Sequence, residues 1–149
     1  YRRGLYIFFQ RSVPYPMLMT FDAPDSTATC VLRERSNTPL QALTLLNDGV
    51  FFECARALGR QIVAEAGSAD PRAQLAYGFR RCVSRAPTAP ELDRLGVLYD
   101  GQLALAKADP GGAAKTIGGR STDPQVAEQA TLVALSRVIL NLDEFITRD

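Results

Sequence analysis

Beyond residue 39 the apolar positions of this chain recur at helical spacing, and before it they do not. Phe51, Ala55, Leu58 and Ile62 step by four, three and four residues. Leu92, Leu95, Tyr99 and Leu103 step by three, four and four, and Leu132, Leu135, Ile139 and Leu142 by three, four and three. Each set falls on one face of a helix turning every 3.6 residues. The last segment is also apolar at Ala130, Ala134 and Val138, which predicts a central helix with neighbours on two sides. Start signals agree with the spacing. Thr38-Pro39-Leu40-Gln41 and Thr88-Ala89-Pro90-Glu91 read as capping boxes with proline in the first turn. Asp70-Pro71 and Asp123-Pro124 each offer an N-cap followed by proline, and Asn47-Asp48-Gly49 reads as a break and restart between two helices.

These signals place helices near 2–12, 39–47, 49–66, 71–83, 89–108 and 124–142, about 60% of the chain against the third or so typical of globular proteins. No alternating stretch is long enough for a strand. Residues 13–37 hold three prolines and no helical period, so a long ordered loop is expected there, wrapping the bundle. Residues 109–121, rich in Gly and Ala, read as a flexible connection. No internal repeat is visible. The expected fold is all-α: a compact bundle of five to six helices in a single domain, residues 1–149. Because the first residue is Tyr, the chain is expected to be a piece of a longer polypeptide.

Composition narrows the chemistry. With 46% apolar and 22% charged residues the chain is globular in type, and 149 residues suffice for one core. The net charge of +1 lacks the basic surplus that nucleic-acid binding uses to displace counterions. The longest apolar runs, such as Leu5-Tyr6-Ile7-Phe8-Phe9, reach about five residues, where a membrane span needs roughly 20. There is no histidine, and Cys30, Cys54 and Cys82 are too far apart for a CxxC motif. That removes the commonest general base, the commonest metal ligand and the c-type haem signature CxxCH, so no metal or cofactor is expected in this chain.

Several candidates carry both a chemical and a structural reading. Gly111-Gly112-Ala113-Ala114-Lys115-Thr116 invites a phosphate loop, but Asp109 and Ala114 stand where that motif needs glycine and no strand precedes it. Cys54 and Cys82 sit on predicted apolar faces and read as small buried hydrophobes. Cys30, in the irregular segment, has Arg33 and Arg35 nearby for a positive field but no histidine as base. Asp22, Asp25, Glu34 and the pair Asp143-Glu144 are the acids available for acid–base work, though such residues are more often solvated or capping groups. Arg33 and Arg35 can fork onto carboxylates or phosphates, or pin the loop to helix ends. In the pinning version, Arg35 and Asn37 hold the loop near Asp48 and near Asn141 to Glu144, because a long polar loop must satisfy its backbone groups somewhere. The aromatics Tyr1, Tyr6, Phe8, Phe9, Tyr15 and Phe21 crowd the first 21 residues. They suit a core, a surface packed against another part of the polypeptide, or a platform for carbohydrate.

Three blocks together carry a family likeness: Arg2-Arg3-Gly4-Leu5-Tyr6 through Phe21-Asp22-Ala23-Pro24; Arg35-Ser36-Asn37-Thr38-Pro39-Leu40-Gln41-Ala42-Leu43 with Leu45-Leu46-Asn47-Asp48; and Arg137 through Phe145. Phe79-Arg80-Arg81-Cys82-Val83-Ser84-Arg85-Ala86-Pro87-Thr88 adds to them. Over nearly its whole length the chain resembles the C-terminal part of the planctomycete PSD1 domain, the domain of unknown function 1553. It departs at Phe9, where the family pattern has Trp, and at Leu132-Val133, where it has an aromatic. The resemblance implies a C-terminal module of a large exported protein, in the periplasm or cell envelope, whose other parts resemble a cytochrome c domain and a second domain of unknown function. Any c-type haem would then lie elsewhere in the parent, and the partners would be the parent's other domains. The family brings no established reaction or catalytic residue. The expected role is a non-catalytic interaction or structural module. The alternative is an enzyme or carbohydrate-binding domain with a polar site around Asp22, Arg33, Arg35 and Asn37.

Overall fold

The computed structural model describes residues 3–24, 27–119 and 125–147. Within them helix, the short 3-10 turn included, accounts for 67% of residues and no strand forms, so the fold is all-α. The chain divides into two compact units, Tyr1–Thr44 and Leu45–Asp149.

The first unit holds a 3-10 turn, Gly4–Tyr6, an isolated antiparallel bridge between Gln10 and Val13, α1 (Pro16–Thr20) and the start of α2 (Pro39–Asn47). The expected helix over 2–12 is thus reduced to one turn. Its apolar residues run consecutively instead of at helical spacing, and Leu5, Tyr6 and Phe8 are exposed. With no face to bury, nothing offsets the cost of helix nucleation. The expected loop over 13–37, in turn, contains α1. Pro16 at its first position supplies the preset φ, but Tyr15 before it gives no side-chain cap, so the usual start signal is missing.

The second unit contains α3 (Gly49–Glu65), α4 (Pro71–Val83), α5 (Ala89–Ala108), α6 (Pro110–Ile117), α7 (Val126–Ile139) and α8 (Asp143–Ile146). The capping signals act as read. Asp48 accepts from the Val50 N–H at 2.8 Å, Asp70 from Arg72 and Ala73, and Thr88 with Glu91 closes a capping box. Asp123-Pro124 lies outside the described residues.

The Gly/Ala-rich connection is a correction: most of it is helix α6. Asp109 caps it by accepting from the Gly112 N–H at 2.9 Å, and Gly118 ends it in the left-handed region at φ 72°. Its Ala113 and Ala114 bury against Val126 and Ala130, small side chains that bring α6 close to α7. The phosphate-loop reading therefore fails structurally as well as by motif.

α7 is central, packing on α3, α5, α6 and α4. Leu132, Leu135 and Ile139 join Leu58, Ile62, Leu75, Phe79, Leu95 and Tyr99 in one core, with Leu92, Leu103, Leu142 and Cys82 packed against it. Cys82 is half-buried, and burial pushes its thiol pKa up against a smaller opposing pull from Arg81. Cys54 is exposed, contrary to expectation, because the buried stripe of α3 is Ala55, Leu58, Gly59 and Ile62 and Cys54 lies one residue off it.

Gly59 sets the spacing of α3 on α7. A Cβ there would stand 3.1 Å from Val133 Cγ2 and 3.3 Å from its backbone nitrogen. Gly59→Val is expected to lower stability by about 1–3 kcal/mol through overpacking. Denaturant unfolding checks this, and an unchanged midpoint would show that the two helices have room to spare.

Candidate functional site

The sequence-derived site residues divide between the two units. Asp22, Arg33, Arg35 and Asn37 belong to the first, and Asp48, Asn141 and Glu144 to the second.

In the first unit the chain leaves α1 through a tight turn. The Asp22 N–H donates to the Met19 carbonyl and the Ala23 N–H to that of Leu18, and Asp22 takes a left-handed conformation at φ 57°. An aspartate tolerates that region better than most residues with a side chain. The turn carries the Asp22 carboxylate to Ser36. Oδ2 accepts the Ser36 N–H at 2.8 Å, and the Ser36 hydroxyl lies 2.7 Å from Oδ1. Gln41 completes the knot from the first turn of α2. Its side-chain nitrogen lies 2.8 Å from the Thr20 carbonyl, 3.0 Å from Ser36 Oγ and 3.3 Å from Asp22 Oδ2. Its Oε1 accepts the Thr38 N–H at 2.9 Å, while the Gln41 N–H donates to Thr38 Oγ1, so one side chain serves both the capping box and the knot. Gln41 is 1% exposed.

Arg33 closes the same ring from outside. Its Nε donates to the Asp22 carbonyl at 3.0 Å and its terminal nitrogen to the Phe21 carbonyl at 3.1 Å. The structure places Arg33 beside Asp22, and the contact is guanidinium to backbone. The hydrogen bonds from the Ser36 hydroxyl and N–H hold the Asp22 carboxyl below its usual pKa, with lesser help from Gln41 and the Arg33 charge and against a smaller desolvation penalty. Arg35 and Asn37 are exposed on the run between Arg33 and Thr38. Asp25 lies outside the described residues.

A cleft of about 570 Å³ opens beside the knot, lined among others by Met19, Asp22, Cys30, Leu32, Arg33 and Glu34. The Cys30 thiol is exposed and donates to the Leu32 carbonyl at 3.2 Å. Chemically the arrangement is a lock. The carboxylate is occupied by donors that favour its ionised form, and the arginine fork is filled by two carbonyls. A general base works best with a pKa near the operating pH, and these bonds move Asp22 the other way.

In the second unit Asp48 caps α3, and Glu144 takes Arg85. Arg85 is the hub that sequence reasoning missed. It lies over the Phe79 ring at 4.9 Å, binds Glu91 through two nitrogens at 2.7 and 2.9 Å, and reaches Glu144 at 2.7 Å. Glu91 also accepts the Thr88 N–H at 2.7 Å. Arg85, then Thr88, holds the Glu91 carboxyl well below the usual carboxylate range. Asn141 follows α7, its N–H donating to the Val138 carbonyl and its Oδ1 buried. Among the described residues no group of three or more Cys, Asp or Glu side chains is placed to hold a metal ion, and no helix is long and apolar enough to cross a membrane.

A family model described as "PSD1: Protein of unknown function (DUF1553)" matches residues 1–99. The match covers the first unit, the α2 block and the Phe79–Thr88 connection, and stops before Arg137–Phe145. No curated protein and no solved structure matches the chain.

The knot has a pH signature. Because its folded pKa is lowered from 3.8, the Asp22 contribution is complete above the ordinary carboxylate range and fades as pH falls through the lower, folded value. The Ser36 amide resonance is expected to titrate with a midpoint below 3.8, and Asp22→Asn to abolish that titration. A midpoint at or above the ordinary value would contradict the bonding described. Gln41→Ala strands the Thr20 carbonyl and the Thr38 N–H, and native-state hydrogen exchange of Thr38 is expected to show local stability lower by about 1–3 kcal/mol.

Proposed function

The chain belongs to the PSD1 family (DUF1553), and we propose that it is a non-catalytic interaction module whose first unit packs against other domains of its own polypeptide. The parent would be an exported, multidomain protein of the planctomycete cell envelope, with c-type cytochrome chemistry housed elsewhere in it.

One observation carries this reading. Among the described residues of the first unit no hydrophobic side chain is fully buried, and its one fully buried residue is the polar Gln41. Met17, Leu18 and Phe21 are half-buried, and several other large apolar side chains face outward: Leu5 is 81% exposed, Phe8 85%, Val31 98% and Leu32 84%. Scattered apolar residues are normal on a surface, but a segment that fully buries none of its own has little of the driving force that orders a chain of this length. A covering partner supplies it. The polar groups that would serve a catalytic reading are engaged within the fold, Asp22 on Ser36 and Gln41, and Arg33 on two carbonyls.

Carbene footprinting followed by mass spectrometry tests the proposal. Labelling of Leu5, Phe8, Val31 and Leu32 is expected to fall several-fold in the full-length parent relative to the 149-residue chain, while exposed Val97 and Leu105 of the second unit label equally in both. Equal labelling of the first four in both forms would remove the reading.

A further inference from the structure

The second unit carries its own cleft, of about 620 Å³, where the end of α3, the start of α4 and the first turns of α7 meet over α5. That volume lies within the roughly 300–1,000 Å³ of small-molecule sites. Its lining is mainly polar, with Val63, Ala64, Ala69 and Leu132 as its apolar side chains. Ser68, Gln74, Tyr99, Gln125, Glu128 and Gln129 supply hydroxyl, carboxamide and carboxylate groups, and among the described residues no lysine or arginine lines it. Two apolar side chains form its floor, Leu132, which belongs to the core, and Val63, which is partly open to solvent.

Local structure fixes several of these groups. Gly67, at φ 67°, turns the chain out of α3 and delivers Ser68 to the rim. The Gln74 side chain donates to the Ser68 carbonyl at 3.2 Å, which ties α4 to that turn. Tyr99 is 5% exposed and anchored in the core, so its hydroxyl is held on a rigid ring. Burial, then the nearby carboxylates of Glu128 and Asp100, push its pKa up and keep the phenol a neutral donor.

We infer that this cleft binds a neutral polyhydroxylated ligand, the hydroxyl-bearing edge of an oligosaccharide. Among the described lining residues the only charged side chain is the carboxylate of Glu128, which disfavours phosphate and carboxylate ligands by like charge. An apolar ligand would desolvate the carboxylate of Glu128 and the carboxamide of Gln129. Each carboxamide presents a donor beside an acceptor, which matches a pair of adjacent hydroxyls, each itself donor and acceptor. Glu128 accepts from a hydroxyl without requiring a counter-charge, and Val63 offers an apolar patch for the C–H face of a sugar ring. A peptide would look instead for a strand edge or deep apolar pockets, and the described lining provides neither. None of these residues belongs to the first unit, so the inference stands apart from the interaction surface proposed above.

The test is an NMR titration of the isotope-labelled 149-residue chain with cellohexaose, xylohexaose, maltohexaose and chitohexaose. At least one glycan is expected to shift the side-chain amide resonances of Gln74, Gln125 and Gln129. Gln129→Ala is then expected to weaken binding about tenfold, the worth of one or two hydrogen bonds, and Glu128→Gln to weaken it by a similar factor. Both positions lie on the surface of α7, and an unchanged core methyl spectrum verifies the fold of each variant. Phe8→Ser should leave affinity unchanged. The inference is overturned if no glycan shifts those amides, or if the shifts fall on residues 3–24. It is equally overturned if both α7 variants bind as the parent chain does, or if neutral pentapeptides of mixed sequence bind the same amides more tightly than every glycan.

Discussion

Helix α7 has to be buried on nearly its whole circumference, and the second unit is arranged around that requirement. From Val126 to Ile139 its buried residues include Ala130, Thr131, Leu132, Val133, Leu135 and Ser136, too many faces for one neighbour to cover. Four helices cover them at distances set by side-chain size. Gly59 lets α3 approach Val133 directly, alanines on both sides let α6 lie close, and Leu and Ile fill the wider space toward α4 and α5. Two hydroxyls are tolerated in this interior because each donates to a carbonyl one turn back, Thr131 to Ala127 and Ser136 to Leu132. The helix end is tied by arginine: Arg137 donates to the Leu46 carbonyl and shares the Phe52 ring with Arg56, which holds the carbonyls of Lys115 and Thr116 at the end of α6. Cations at carbonyl ends of helices are favoured by both hydrogen bonding and the dipole.

What could be read in advance follows from how local each signal is. The starts of α2, α4 and α5 were legible because a cap is made within four residues: Thr38 with Gln41, Asp70 with Ala73, Thr88 with Glu91. The centrality of α7 was legible because burial on several faces writes itself into one continuous segment. Helix α6 was not, since Gly and Ala have no hydrophobic period and their smallness, read as flexibility, serves close packing instead. The helix expected at 2–12 failed for the opposite reason: strong apolarity without spacing has no one face to bury. Of the candidate site, the pairing of Asp22 with Arg33 was within reach, but Ser36 as the main partner of Asp22 was not. That bond spans 14 residues and depends on the left-handed turn at Asp22. Arg85 was equally hidden, because its two acids lie 6 and 59 residues away.

Charged side chains in both units are used to close the chain on itself. Asp22 gathers the backbone N–H and hydroxyl of Ser36 and the side-chain amide of Gln41, and Arg85 gathers Glu91 and Glu144 while stacking on Phe79. Both networks favour the ionised forms of their members, the reverse of what a proton-transfer group at neutral pH requires. An upward shift suits a carboxyl that must donate a proton near neutral pH, and a downward shift keeps it ionised and engaged by its donors. Asp22 and Glu91 both shift downward.

The two units differ in what orders them, and that difference bears on function. The second has a continuous apolar core and can spare a polar cleft on its surface. The first has a polar knot and, among its described residues, no fully buried hydrophobic side chain. A hydrogen bond contributes a net 0.5–1.5 kcal/mol or so, whereas fixing one residue's backbone costs about 1–2 kcal/mol. The few bonds around Asp22 therefore cannot by themselves order a segment of some forty residues. They can select one conformation, provided another source supplies the driving force. Covering apolar surface contributes about 25 cal/mol per Å², and the side chains left outward, Leu5, Phe8, Val31 and Leu32 among them, are of the kind that supplies it. On this argument the knot selects the shape of the first unit without supplying its stability, and under the proposed packing against other domains the exposed apolar side chains would belong to the folding problem as well as to the contact surface.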